Sequence, residues 1–241
     1  MNKTQIISFQ NPDELARIVA AAWLKEITAA NHAGRPHHVA LSGGRITLKF
    51  FATAIEMARA QNVSLANVHY FWADERCVPP DDKESSFGAA NEVFFRPLEI
   101  AADKIHRVLG EESPERAAEQ ANAEIKGIVP LNAAGQPVLD LVFLGLGEDA
   151  HVASLFPRET EAEWANPAVY RIITDSPKPP PIRVTLGYPT IAAAKAVWVL
   201  ASGAGKETAL RDSMAAGSTT PLGRVFQMRT GTRVFTDIAL T

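Results

Sequence analysis

The stretch LVFLGLGEDAHVASLFP, Leu141–Pro157, with Leu139 and Asp140 leading into it, decides the fold. Leu141 to Leu144 form an unbroken apolar run, as expected of a strand buried on both faces of a parallel sheet. Gly145 and Gly147 then permit a tight turn into Glu148, Asp149 and His151. The spacing predicts a short helix beginning there, carrying Ala153, Leu155 and Phe156 inward before Pro157. In an open α/β sheet the ligand crevice lies beyond the carboxyl ends of the strands, so His151 is expected at a pocket mouth. An ordinary strand-to-helix turn with capping polar residues has the same local pattern, and the rest of the chain must decide between the two.

Upstream, Ile6–Phe9 reads as a short edge strand. Asn11, Pro12 and Glu14 form a helix start. Leu15, Ile18, Val19, Ala22, Trp23 and Ile27 continue at helical spacing, with Trp23 a packing residue. Val39–Leu41 is a buried strand, followed by Ser42-Gly43-Gly44-Arg45 and a helix over Ile46–Ala60. Small residues there let backbone amides approach a phosphate at a helix N-terminus, and Arg45 can add charge. The Walker and dinucleotide-binding glycine spacings are both absent. Val68–Ala73 is a strand that runs into Asp74-Glu75-Arg76, placing charge at its C-terminal end as either an ion pair or a site.

The remaining segments continue the alternation. Phe87–Phe95 is helical and Lys104–Val108 a shorter strand. Ser113 and Pro114 start a helix whose apolar stripe is Ala117, Ala118, Ala121, Ile125 and Val129. Asp140 precedes its strand and reads as structural. Val169–Thr174 pairs into the sheet, Ser176–Pro181 is an ordered proline-rich loop, and Arg183–Leu186 precedes a helix around Tyr188–Ala194. Ala196–Leu200 is a strand, Gly203–Lys206 a turn into a helix through Ala215, and Val234–Ile238 the last strand. A single α/β domain over 1–241 is expected, its mostly parallel, Rossmann-like sheet flanked by helices, with a small lid or subdomain drawn from 77–100 and 158–182.

A net charge of −3 without a basic block argues against nucleic-acid binding. The lone Cys77 precludes an internal disulfide framework and has no triad signature around it. No stretch is long enough to span a membrane and no signal core opens the chain, so a cytoplasmic protein, monomeric or weakly homo-oligomeric, is expected.

Taken together, GLGEDAHVASLFP at Gly145–Pro157, WADERCVPP at Trp72–Pro80 and KPPPIRVTL at Lys178–Leu186 resemble the 6-phosphogluconolactonase family over nearly the whole chain. That resemblance implies an NagB/RpiA-like fold. It also implies hydrolysis of 6-phospho-D-glucono-1,5-lactone to 6-phospho-D-gluconate in the oxidative pentose phosphate pathway, with no required metal or organic cofactor. It casts His151 as general base, with Asp149 orienting it or shaping the hydroxyl site. Ser42, Gly43 and Gly44 become phosphate-loop contacts, with Arg183 and Lys206 favoured over Arg45 as cations. Asp74 and Glu75 are expected to meet sugar hydroxyls or organise Arg76. Two positions depart from the family pattern. Arg45-Ile46-Thr47 replaces Ser-Thr-Pro, and Asp149-Ala150-His151 replaces Asp-Gly-His, which strains Ala150 if φ must be positive. A glucosamine-6-phosphate deaminase-like isomerase is the nearest alternative, but its His-Ile-Ala-Phe-Asn-Glu pattern does not follow His151. A noncatalytic sugar-phosphate-binding regulator is the other.

Overall fold

The computed structural model describes residues 4–239. Strand β1 (Gln5–Ser8) leads into helix α1 (Pro12–His32). Asn11 caps α1 by accepting a hydrogen bond from the Glu14 amide, and Pro12 sits in the first turn, where a missing N–H costs nothing. Leu15, Val19, Trp23 and Ile27 line its buried face. Next come β2 (His37–Leu41), α2 (Arg45–Gln61) and β3 (Val68–Trp72). Helices α1 and α2 pack together over an aromatic layer. Within it the Trp23 ring centre is 5.4 Å from Phe50 and 5.7 Å, edge-on, from Phe143.

After β3 the chain forms β4 (Asp74–Arg76) and α3 (Ser86–Ala90), which runs into a π-helical turn at Asn91–Phe95. That turn sends Phe94 and Phe95 into the aromatic layer. Helix α4 (Pro114–Ile128) is capped by Ser113, and Ala117, Ala118, Ala121 and Ile125 are buried along it. Strand β5 (Leu141–Gly145) follows, then the short α5 (Glu161–Trp164), β6 (Tyr170–Ile173), β7 (Arg183–Leu186), α6 (Tyr188–Ala193) and β8 (Ala196–Ala201). Helices α7 (Glu207–Met214) and α8 (Pro221–Met228) and strand β9 (Thr232–Thr236) complete the described chain.

Six strands form a wholly parallel sheet in the order β1-β9-β8-β5-β2-β3. From β2 the chain moves outward to β3, and from β5 it moves the other way to β8. The order therefore reverses between β2 and β5, the place where an open parallel sheet opens a crevice at its carboxyl edge. Ser42–Gly44 leaves β2 there and Leu146–His151 leaves β5 there, so topology alone brings the two glycine turns together.

Four sequence expectations change. Asp74-Glu75-Arg76 is not the end of β3 but a strand of a second, antiparallel sheet ordered β4-β7-β6, and Val169–Thr174 pairs into that sheet rather than the large one. Ala73 is the hand-over point: its amide bonds to the Leu41 carbonyl in the large sheet, while its carbonyl accepts the Leu186 amide of the small one. Lys104–Val108 forms a 3-10 turn at Ala102–Lys104 and one bridge, Ile105 to Tyr70, instead of a strand. Residues 146–157 contain no helix; they form turns pinned by a bridge between Val152 and Leu155. Beyond these four, α8 answers to no sequence expectation. No helix among the described residues is long and apolar enough to cross a membrane.

Candidate functional site

The loop after β5 folds back on itself. The Gly147 amide donates to the His151 carbonyl, and the Ala150 amide to the Gly147 carbonyl. A Cβ on Gly147 would overlap Nδ1 of His151, so only glycine lets the imidazole close over the turn. Ala150 lies at φ +66° and Ala153 at φ +50°, conformations in which an L-side chain crowds its own carbonyl. The strain foreseen for Ala150 is therefore present. His151 is not at a helix start. Its partner is Asp149 instead: Nδ1 and Asp149 Oδ1 are 2.5 Å apart. Burial opposes the charged Asp149 carboxylate. The hydrogen bond from His151, the His151 charge and the Lys178 charge outweigh it and hold the group below the usual carboxylate range. An ionised Asp149 accepts a hydrogen bond from Nδ1–H, which keeps the proton on Nδ1 and leaves the lone pair on Nε2. The Phe156 ring, 5.0 Å from the imidazole, supports its other side.

Across the cleft, Ser42 donates to the Phe143 carbonyl at 2.8 Å and so ties the end of β2 to β5. Gly44 adopts φ +111° at the start of α2, which has no side-chain cap and opens on the cleft. Such an end favours an anion. Arg45 and Lys206 line the same region. Burial and then the charge of Arg45 pull the Lys206 ammonium below its usual value, while Glu148 and Asp237 act the other way. Two cations that repel each other beside a helix N-terminus give this end of the cleft a positive field, which favours an anion.

The second small-sheet edge gives a different pole. Ser154 donates to Asp74 Oδ2 at 2.6 Å, and Arg183 Nη1 stands 4.0 Å from the same oxygen. Arg183 is buried, and its remaining donors hold the proline-rich loop: Nε to the Pro180 carbonyl at 3.0 Å and Nη2 to the Lys178 carbonyl at 3.0 Å. Sequence reasoning set Arg183 beside Lys206 as a phosphate cation. Both line the cleft, and the charged neighbours of Arg183 are Arg76, Asp74, Glu84 and Glu75, because β7 sits in the small sheet. Of the two roles expected of Glu75, the geometry fits the second. It is buried and accepts the amides of Arg76, Ser86 and Phe87, so it organises Arg76 and the β4–α3 turn rather than meeting a sugar. Arg76 reaches the cleft wall while donating to the Glu84 carbonyl. Burial pushes the Cys77 thiol up to about 11, the opposite of an activated nucleophile.

Ser42, Gly43, Gly44, Arg45, Asp74, Arg76, His151, Arg183 and Lys206 thus share one cleft of about 790 Å³, and Asp149 stands behind His151. Lys178 was missed, although it belongs to the Lys178–Leu186 motif. Its ammonium is 3.5 Å from both His151 Nδ1 and Asp149 Oδ1. Glu148, beside Gly205 on the cleft wall, was missed as well.

The model of the glucosamine-6-phosphate isomerase/6-phosphogluconolactonase family matches residues 10–235. The chain belongs to this family. A 6-phosphogluconolactonase of Haemophilus influenzae is 32% identical over 188 residues, covering 78% of each chain. One of Streptomyces coelicolor is 30% identical over 217 residues, covering 86% of this chain and 81% of the relative. Among solved structures, the 6-phosphogluconolactonase of Trypanosoma brucei superposes with a TM-score of 0.84 at 26% identity, over 98% of this chain and 97% of that one.

Proposed function

We propose that this chain is a 6-phosphogluconolactonase that hydrolyses 6-phospho-D-glucono-1,5-lactone to 6-phospho-D-gluconate, with His151 as the base. The observation that carries the reading is the His151–Asp149 pair, set in the same cleft as the Arg45–Lys206 pole. A phosphorylated lactone needs both: a cationic anchor at one end and a neutral imidazole with a free Nε2 at the other.

In this reading the phosphate lies against Gly43, Gly44, Arg45 and Lys206, with Ser42 bracing the turn. The hydroxyls meet Asp74, whose carboxylate is held by Ser154 and Arg183. Nε2 of His151 takes a proton from water as the oxygen attacks the lactone carbonyl. The carbonyl π pair moves to oxygen and gives a tetrahedral oxyanion. Its collapse breaks the bond to the ring oxygen, which receives the proton back from His151. The products are the open-chain acid and a regenerated neutral imidazole, and no electron donor or acceptor is consumed. Lys178, on the proline-rich loop pinned by Arg183, lines the cleft beside the histidine.

The test follows the disappearance of freshly generated lactone, corrected for spontaneous hydrolysis, with folded protein at near-neutral pH. Acceleration that disappears in His151→Ala, with inorganic phosphate still bound, is the expected result. A protein that binds phosphate but gives no acceleration is a sugar-phosphate binder, not a lactonase.

A further inference from the structure

Lys178 is not part of the His151–Asp149 hydrogen bond, yet its Nζ stands 3.5 Å from Asp149 Oδ1 and 3.5 Å from His151 Nδ1. The placement is built rather than incidental. The Lys178 carbonyl accepts Arg183 Nη2 at 3.0 Å and Ser176 Oγ at 2.8 Å, and the Lys178 amide donates to Ser176 Oγ at 3.2 Å. Arg183 is itself buried, so a rigid anchor fixes the backbone from which a half-exposed lysine reaches over. The ammonium lies on the Nδ1 edge of the imidazole, beside Asp149, and not on the Nε2 edge that the proposed reaction uses.

We propose that Lys178 is the positioning residue of the His151–Asp149 pair: its ammonium holds the Asp149 carboxylate in place and, by standing beside the ring, opposes a second positive charge on the imidazole. This inference rests on the reading of His151 as base. Without such a cation, an aspartate in contact with a histidine favours the imidazolium, which cannot accept a proton. Lys178 offsets that pull while leaving the carboxylate charged enough to fix the Nδ1 proton. Of the other charged groups about the cleft, Asp149 belongs to the ring's own loop, Arg183 lies beyond Phe156 with its guanidinium 5.8 Å from that ring, Asp74 and Arg76 come from β4, Arg45 and Lys49 from α2, and Glu148 and Lys206 from the loops after β5 and β8. Among the described residues, Lys178 is the cation within 3.5 Å of the pair.

The experiment reads the imidazole directly, by nitrogen-edited NMR of His151 across pH 4–9, in wild type, Lys178→Met and Lys178→Arg. Lys178→Met is expected to raise the His151 titration midpoint, because it removes a positive charge standing 3.5 Å from Nδ1. The acid limb of kcat/KM should move by the same amount, and Lys178→Arg should restore both. Inorganic phosphate affinity should fall far less than in Lys206→Ala, since the ammonium contacts Asp149 and His151 and only adds its charge to the field at Lys206. An unmoved midpoint in a folded Lys178→Met variant overturns the proposal. So does a loss of phosphate affinity with the midpoint unmoved, which would make Lys178 a phosphate ligand. The NMR titration needs no turnover, so absence of lactonase activity in the wild type counts against the proposed function and leaves this measurement readable.

Discussion

His151 Nδ1 and Asp149 Oδ1 meet at 2.5 Å although the two residues are separated by a single alanine in the chain. Such closeness is possible because Ala150 takes a positive φ and Gly147 has no side chain beneath the ring. The pair is local in sequence, but its geometry depends on a strained backbone. In Asp149→Asn the carbonyl or the amide group can face Nδ1, so the tautomer is no longer fixed. Lactone turnover is expected to fall by about 10²–10³-fold while inorganic phosphate binds as before. Steady-state kinetics with the spontaneous rate subtracted would check this; a loss under threefold removes Asp149 from the mechanism. Asp149 itself is held below the usual carboxylate range and stays charged throughout the neutral region, so the acid limb of activity does not follow its protonation.

The two cationic poles predict different phenotypes. Lys206→Ala removes a charge-assisted contact worth about 1.5–3 kcal/mol, so inorganic phosphate should bind about 10–100-fold more weakly with a smaller change in kcat. Arg183→Ala strips the buried anchor from Asp74 and from the Lys178 and Pro180 carbonyls, and is expected to cost about 3 kcal/mol of stability. Urea denaturation separates them. If Lys206→Ala destabilises as much as Arg183→Ala, the assignment of anchor and ligand is reversed.

Backbone strain is also testable. Ala150→Gly should stabilise the fold by about 1 kcal/mol, or a melting temperature higher by about 2–4 °C, because glycine accepts φ +66° without the Cβ penalty. Gly147→Ala should instead displace the imidazole and lower turnover at least 10²-fold, with the large sheet unaffected. A neutral Ala150→Gly variant would mean that the alanine is accommodated without cost.

Local signals were the legible part of this chain. Asn11-Pro12 and Ser113-Pro114 start α1 and α4, the Leu141–Leu144 run is the β5 core, and Asp140 is structural, bonded to His38, Arg35 and Lys195. Thr220-Pro221, followed by Leu222, Val225 and Phe226, carries the same start signal for α8 and could have been read. The second sheet could not. Ala73 hands the chain from one sheet to the other through bonds to Leu41 and Leu186, partners more than thirty residues away on either side. The burial of Glu75 depends on three amides presented by the turn after it, and a charged residue gives no warning of that in sequence. Around His151, Ala153, Leu155 and Phe156 are apolar because the loop packs inward, and helical spacing was the wrong reading of the same burial. Arg183 was legible as important but not as an anchor, since its partners are carbonyls.

At the opposite end of the sheet, acid should unfold the protein through buried histidines. The Trp23 indole donates to His37 Nε2 at 3.2 Å, so that nitrogen must keep its lone pair, and His37 is almost fully buried. Burial pushes its value down from 6.5 to about 4; Asp140 opposes this, while Arg35, His38 and Lys195 add to it. His69 is lowered to about 4 by burial and by Lys104, His106 and His38. A folded value below the unfolded one means that the unfolded chain binds protons first as pH falls. The stabilisation from the neutral ring is therefore whole above about pH 6.5, declines below it, and is gone near pH 4. For His37 the loss is about 3 kcal/mol by linkage. Urea denaturation at several pH values between 7 and 4 should show stability falling with acid, and His37→Gln should flatten that slope by about one proton. A variant with the wild-type slope would show that His37 is not the group whose protonation opens the fold.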